Sequence, residues 1–261
     1  MWVIKRSGER EQFDPAKARA AVMRAGVSPA EADEILDRLL PQLYDGITTE
    51  EIYRRIHQAL DRGTAARYSL KKALLRLGPE GWHFETFVGR LFTADGYKVD
   101  VRQMLDGKCV QHEVDAVAEK THEKVMVECK FHNSLGIKCA IQVALYAQAR
   151  YLDLKDAHQL TGPCLVTNTR FTGDVVRYAS CVGMRLLSWR WPEGGGLESL
   201  VEKHRLYPVT VLDLGRHDIS VLMDNDIILV SEVLDREDQI ARILPRASAE
   251  KSLRLAEEAM R

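Results

Sequence analysis

The chain has 261 residues, with 37 Lys plus Arg against 38 Asp plus Glu and a formal net charge of −1. That balance excludes a uniformly basic coat protein, so any surface that binds a polyanion must be local. No apolar run approaches the ~20 residues of a membrane span. The five cysteines (Cys109, Cys129, Cys139, Cys164 and Cys181) form no Cys-x-x-Cys pair and have no zinc-finger spacing to His. The opening MWVIKRSGER lacks the apolar stretch of a signal peptide. The expectation is a cytoplasmic protein with reduced thiols and no membrane partner.

Trp2 to Lys5 reads as a short strand that stops at the Ser7-Gly8 turn. Asp14 followed by Pro15 predicts an N-cap and first helical residue. Ala18, Val22 and Ala25 carry that helix to Gly26. Ser28-Pro29-Ala30-Glu31 is a capping box for a second helix running to about Leu40. A third helix is predicted from Thr49, with Ile52, Ile56 and Leu60 on one face and Gly63 at its end. A fourth covers about Ala65 to Leu77.

Gly78-Pro79-Glu80-Gly81 marks a domain boundary, because two glycines and a proline within four residues interrupt any helix. Beyond it the pattern predicts a helix (Trp82 to Asp95), then strands at 97–101, 111–119 and 124–131. A long helix over about Ile137 to Leu152 follows, then a strand at 164–167, a helix at 171–182 and a strand at 184–189. That order describes helices packed about one sheet. Pro192 to Gly196 is a second linker, and the remainder is mainly helical. Three regions are therefore expected, 1–77, 78–191 and 197–261, in a mixed α+β protein.

The chemistry concentrates in two of the central strands. Asp115 lies in His112-Glu113-Val114-Asp115, and Glu128 and Lys130 lie in Val127-Glu128-Cys129-Lys130. The period of two puts Glu128 and Lys130 on one face. If the strands are antiparallel neighbours joined near Lys120 to Glu123, Asp115 approaches Glu128. Two carboxylates can hold Mg²⁺ or Mn²⁺ while water completes the shell. The ion polarises a phosphoryl oxygen and activates a bound water, and a lysine neutralises the charge that develops. An exposed Glu-x-Lys is common by chance. Here it ends an apolar strand, follows an Asp-bearing strand and precedes a helix.

An Asp, about a dozen residues, then Glu-x-Lys on adjacent strands resembles the PD-(D/E)xK nuclease superfamily. Residues 79 to 190 resemble its Mrr-like restriction endonuclease branch. The resemblance implies an αβββαβ sandwich and a Mg-dependent endonuclease acting on DNA. It also implies a supporting Glu on the preceding helix, matched by Glu85, and a polar residue on the following helix, matched by Gln142 with Gln148 as the second choice. By the same resemblance Asp115 and Glu128 bind the metal and Lys130 assists the water. Two departures stand out. Glu-Val precedes the Asp, and Glu128 stands where many Mrr relatives have Gln.

The amino-terminal segments Val3-Ile4-Lys5-Arg6-Ser7-Gly8, Phe13-Asp14 with Lys17, and Tyr44-Asp45-Gly46-Ile47-Thr48-Thr49-Glu50-Glu51-Ile52 resemble an ATP-cone, a small mostly helical regulatory domain. Ser7 departs from the Asp or Asn more usual there. The resemblance implies ATP or dATP bound by Val3, Lys5, Arg6, Lys17 and Thr49. Lys5 and Arg6 would meet phosphate at a strand end, Lys17 would lie near the positive end of the first helix, and Thr49 would cap the third. No Gly-x-x-x-x-Gly-Lys followed by Ser or Thr occurs, so the nucleotide is expected to be sensed and not hydrolysed.

In the tail, 206–234 faintly resembles helix-hairpin-helix elements, but its hairpin, Asp224-Asn225-Asp226, carries two acids and no Gly. A packing or dimerisation role fits that composition better. The expectation for the whole is a metal-dependent DNA endonuclease that senses an adenine nucleotide, in restriction and defence or in repair. The alternative is a nucleotide-sensing DNA-binding regulator with an inactive nuclease fold. Cutting both strands of a duplex would favour a homodimer or higher oligomer.

Overall fold

The computed structural model describes residues 1–261 except Arg6 and Leu135. The first elements are β1 (Trp2–Ile4), β2 (Arg10–Gln12), α1 (Pro15–Arg24), α2 (Pro29–Leu39), β3 (Ile47–Thr48), α3 (Thr49–Ala59), α4 (Arg62–Tyr68) and α5 (Leu70–Leu74). Next come α6 (Trp82–Ala94), β4 (Lys98–Asp106), β5 (Gln111–Lys120), β6 (Glu123–Lys130), β7 (Lys138–Cys139), α7 (Ile141–His158), β8 (Gly162–Thr167), β9 (Arg170–Phe171), α8 (Gly173–Val182) and β10 (Arg185–Leu187). The chain closes with α9 (Leu197–His204), α10 (Arg216–Asp224), α11 (Val230–Asp235), α12 (Glu237–Ile243) and α13 (Arg246–Met260).

These elements form two compact units. One comprises 1–70, 211–214 and 233–261, and the other 71–210 and 215–232. The residues expected as a third region, 197–261, are thus divided between the two units.

In the first unit β1 is central, antiparallel to β2 and parallel to β3. Asp14 caps α1, its carboxylate accepting from the amides of Ala16 and Lys17. The Ser28–Glu31 capping box of α2 is present in full. Val22, Ala32, Leu36, Ile47 and Ile56 close the core. Two expectations need correction. Thr48, not Thr49, caps α3, its hydroxyl accepting from Glu51 N at 3.1 Å. Gly63 does not end α3 but lies inside α4, where a Cβ would stand 2.4 Å from the Glu258 carbonyl oxygen of α13. It is a packing glycine, and the predicted fourth helix is in fact α4 and α5 in succession.

The second unit is built on a five-stranded sheet of order β10-β8-β6-β5-β4. β4, β5 and β6 form an antiparallel meander, and β6, β8 and β10 run parallel. Parallel strands are covered on both faces and so read as unbroken apolar runs. Accordingly Val125, Met126 and Val127 of β6 and Cys164, Leu165 and Val166 of β8 are all buried. Each such side chain contributes on the order of 1.5–3 kcal/mol by leaving water. Helix α6 lies close on β4, because Gly89 has no side chain there and a Cβ would meet Val101 at 2.9 Å.

The long helix begins at Ile141, not near 137, because Lys138 and Cys139 are drawn into a parallel pairing with β9. It continues to His158, past the expected end at Leu152. In the tail, Asp226 and Glu232 hold the guanidinium of Arg90 at 2.8 and 2.9 Å. Of the two hairpin acids, Asp226 therefore packs against α6. All five cysteines are free, and among the described residues no helix is long and apolar enough to cross a membrane.

Candidate active site

β5 and β6 are joined by a tight turn at Thr121 and His122, with Thr121 at φ 49°. The ladder runs from Lys120↔Glu123 to Ala116↔Val127. Asp115 and Glu128 are the next residue on each strand, which sets them side by side just beyond that ladder. Asp115 Oδ2 accepts a hydrogen bond from Cys129 N at 2.7 Å. Lys130 ends β6, exposed, and its carbonyl accepts from Thr167 Oγ1 at 2.7 Å.

Burial governs the acids that the site gathers. Burial first, and then the Asp115 charge, push the Glu128 carboxyl up to about 7. Glu85, in the first turn of α6, is likewise raised to about 7 by burial and by Asp115. Asp115 itself is raised by burial, although the Cys129 amide and the charges of Arg150 and Lys130 act the other way. Burial is the largest cause at all three, and the Asp115 charge adds to it at Glu85 and Glu128. Among the described residues no three Asp, Glu, His or Cys side chains converge on a single ion. Mg²⁺ is commonly held through one or two carboxylates and several waters, a donor number that two neighbouring carboxylates can supply.

Arg150 is one residue that sequence reasoning missed. From α7 its guanidinium makes an ion pair with Glu128. Gln142 stands exposed near the start of the same helix, and among the described residues no hydrogen bond joins it to Asp115, Glu128 or Lys130. Gln148 is 9% exposed, with its Oε1 buried and unpartnered. Arg102 was also missed. The β4·β5 pairing passes from Val101↔Ala116 to Gln103↔Val114, leaving Arg102 facing Asp115 at a break in the ladder. Arg102 has φ 50°, a left-handed conformation that costs a non-Gly residue roughly 1–2 kcal/mol. Its guanidinium lies 5.7 Å from the Trp82 ring centroid, and its charge opposes the rise at Glu85.

The first unit contains a cavity of about 200 Å³ whose lining includes Val3, Lys17 and Thr49 with Phe13, Tyr53 and Tyr68. Tyr53 and Tyr68 stack at 5.0 Å and 17°. Burial pushes the Tyr53 phenol up to about 12. Three of the five residues expected at a nucleotide thus meet at one cavity. Lys5 is not in the lining; its ammonium is paired with Glu11 at 2.7 Å and Glu9 at 3.3 Å. Arg6 lies outside the described residues.

The three-stranded meander, the α7 crossover and the parallel β8, with acids on β5 and β6, define a restriction-endonuclease-like domain. Residues 79–189 match the restriction endonuclease family model, and residues 1–74 match the ATP cone domain. An uncharacterized protein of Archaeoglobus fulgidus is 34% identical over 155 residues, which cover 59% of this chain and 88% of the relative. The crystal structure of a protein of unknown function, AF1548, matches with a TM-score of 0.61 at 33% identity, over 69% of this chain and 96% of that one. The chain belongs to the family of these proteins, and joins an ATP-cone domain to an Mrr-like restriction endonuclease domain.

Proposed function

We propose that the chain is a Mg²⁺- or Mn²⁺-dependent DNA endonuclease whose activity responds to ATP or dATP held in the first unit. The observation that carries this reading is the position of Asp115 and Glu128 side by side just beyond the β5–β6 ladder, with Asp115 held by the Cys129 amide and Lys130 two residues after Glu128. A bound divalent ion would supply Lewis acidity and a water of lowered pKa. Asp115 is fixed by the Cys129 amide through Oδ2, which leaves its other oxygen for the ion. Lys130 orients the attacking water and neutralises charge on the phosphoryl oxygens. Glu85, in the first turn of α6, would support the metal's shell. Arg150 pairs with Oε2 of Glu128, so an ion bound at that oxygen would compete with the guanidinium.

In the first unit, Tyr53, Tyr68 and Phe13 offer flat apolar surface to a base, and Lys17 offers a charge to phosphate. The nucleotide is sensed there, with no hydrolysis. The test is cleavage of plasmid and branched DNA with Mg²⁺, with and without ATP, in wild type, Asp115→Ala and Lys130→Ala. Loss of cleavage in both variants is expected, and unchanged cleavage in both rejects the site. The Arg150–Glu128 pair is the one observation that favours the second reading, a nucleotide-sensing DNA-binding regulator. Under that reading the wild type binds DNA and does not cut it.

A further inference from the structure

Just beyond the carboxylate end of the sheet the chain forms a short parallel ribbon, β7 against β9. Lys138 is the register partner of Arg170, and Cys139 that of Phe171. Cys139 is buried and Phe171 packs against the same core. Lys138 and Arg170 face solvent side by side. Like charges opposite one another across a ladder repel, and among the described residues neither is in an ion pair. A third cation stands close by. Burial, and then the charges of Arg170 and Arg190, hold the Lys71 ammonium below the usual lysine range. Arg190 is neutralised by Glu198 at 2.8 Å, which leaves Lys71, Lys138 and Arg170 as a local excess of positive charge in a chain of net charge −1.

The ribbon is tied to the site through its own chain. Thr167 is the register partner of Lys130. Asn168 then clasps His132, accepting from its amide at 2.9 Å and donating to its carbonyl at 2.7 Å. Arg170 follows two residues later. Three extended residues span at most about 11 Å. A DNA strand presents a phosphate for every ~3.4 Å of helix axis, so the ribbon stands within reach of phosphates a few nucleotides from one placed at Lys130.

We propose that Lys138 and Arg170, backed by Lys71, form the seat for the DNA phosphates that flank the bond to be cut. The ribbon positions the strand and reads no sequence, since phosphate contacts fix register and carry no base information. The proposal rests on the nuclease reading above.

The experiment measures binding apart from cutting. The full chain is titrated into a short labelled duplex, without divalent metal, over a series of salt concentrations. Wild type is compared with Lys138→Gln/Arg170→Gln and with Lys98→Gln/Lys124→Gln, which removes the same charge at the opposite end of the sheet. The slope of log K against log salt should fall in magnitude by about 2 in the ribbon variant, one for each phosphate no longer neutralised. It should stay at the wild-type value in the control, and thermal unfolding should be unchanged in both. An unaltered slope in the ribbon variant, or an equal fall in the control, overturns the ribbon while leaving the cleavage result to judge the nuclease reading. A wild type that binds no duplex at low salt overturns the ribbon directly, whatever the cleavage assay shows.

Discussion

Arg150→Ala removes the cation that sits on Glu128 and leaves a carboxylate that burial already disfavours. Removing one partner of a fully buried pair costs about 3–5 kcal/mol, and an exposed pair is worth about 0–1 kcal/mol. The Arg150 and Glu128 side chains are 27% and 19% exposed, between those limits, so we expect a loss of about 2 kcal/mol. For a domain of this size that lowers the unfolding temperature by roughly 4–8 °C. The assay is thermal denaturation of wild type and variant, in chelator and in saturating Mg²⁺. A ligand present at ~100 times its Kd stabilises by about 2.7 kcal/mol. In wild type part of that gain is consumed in displacing Arg150 from Glu128, whereas the variant receives it in full. Mg²⁺ should therefore raise the variant's unfolding temperature more than that of wild type and close most of the gap. Equal metal-induced shifts in the two proteins, or a variant as stable as wild type in chelator, would refute the idea that Arg150 and a metal compete for Glu128.

Other consequences follow from the same geometry. Arg102→Ala and Arg102→Gly should both slow cleavage, on the order of tenfold. The Gly variant should be the more stable of the two by about 1 kcal/mol, because only glycine accepts the positive φ without strain; equal stability by chemical denaturation would argue against that strain. Lys17→Ala should weaken ATP binding about 10–100-fold in calorimetric titration, the loss of a charged hydrogen bond, and retained affinity would remove the nucleotide from this cavity. Gly107→Ala should destabilise by about 1–3 kcal/mol, since its Cβ would lie 2.2 Å from Asp153 Oδ2 and 2.6 Å from the Val110 carbonyl. Hydrogen bonds from Cys109 and His112 hold the Asp153 carboxyl down to about 2. A depressed folded pKa means that its stabilisation is present above the ordinary value near 3.8 and is lost as pH falls towards 2. Asp153→Asn should flatten the stability profile over that acid range, and an unchanged profile would show that another carboxylate governs it.

The parts that were readable in the sequence are those whose cause is local. Asp14-Pro15 and the Ser28–Glu31 box start their helices through hydrogen bonds spanning two or three residues, so the residue types alone disclose them. Asp115, Glu128 and Lys130 were legible because a two-residue period and a short turn leave little freedom in how β5 and β6 meet. Arg150 was not, because its partner lies 22 residues away on another element, and no spacing rule connects a helix arginine to a strand glutamate. Arg102 was hidden for a different reason. An alternating strand pattern assumes regular pairing, and a left-handed residue within β4 has no signature in residue type. The start of α7 was misplaced because Lys138 and Cys139 take their conformation from β9, which lies beyond the helix in sequence. β2, Arg10-Glu11-Gln12, has no apolar residue at all and is a strand only because β1 pairs with it.

Helix α7 brings these unreadable contacts together. Within three turns it carries Arg150 on Glu128, Asp153 under the β4–β5 turn and His158 on the Asp106 carbonyl at 2.9 Å. Asp153 Oδ1 accepts from Cys109 N at 2.9 Å, and Oδ2 accepts from His112 at 2.9 Å and Val110 N at 3.3 Å. The helix that places a guanidinium on one carboxylate therefore also fixes the hairpin carrying the other, because Asp115 lies three residues beyond His112 on β5. If this coupling holds, Asp153→Asn will disturb the site without touching it. Its cleavage rate should fall while its Mg²⁺-induced gain in unfolding temperature shrinks, since Asp115 and Glu128 no longer keep a fixed separation. A variant that loses stability yet keeps both the rate and the metal-induced gain would confine Asp153 to holding the turn, and would leave Arg150 as the helix's sole contribution to the carboxylate pair.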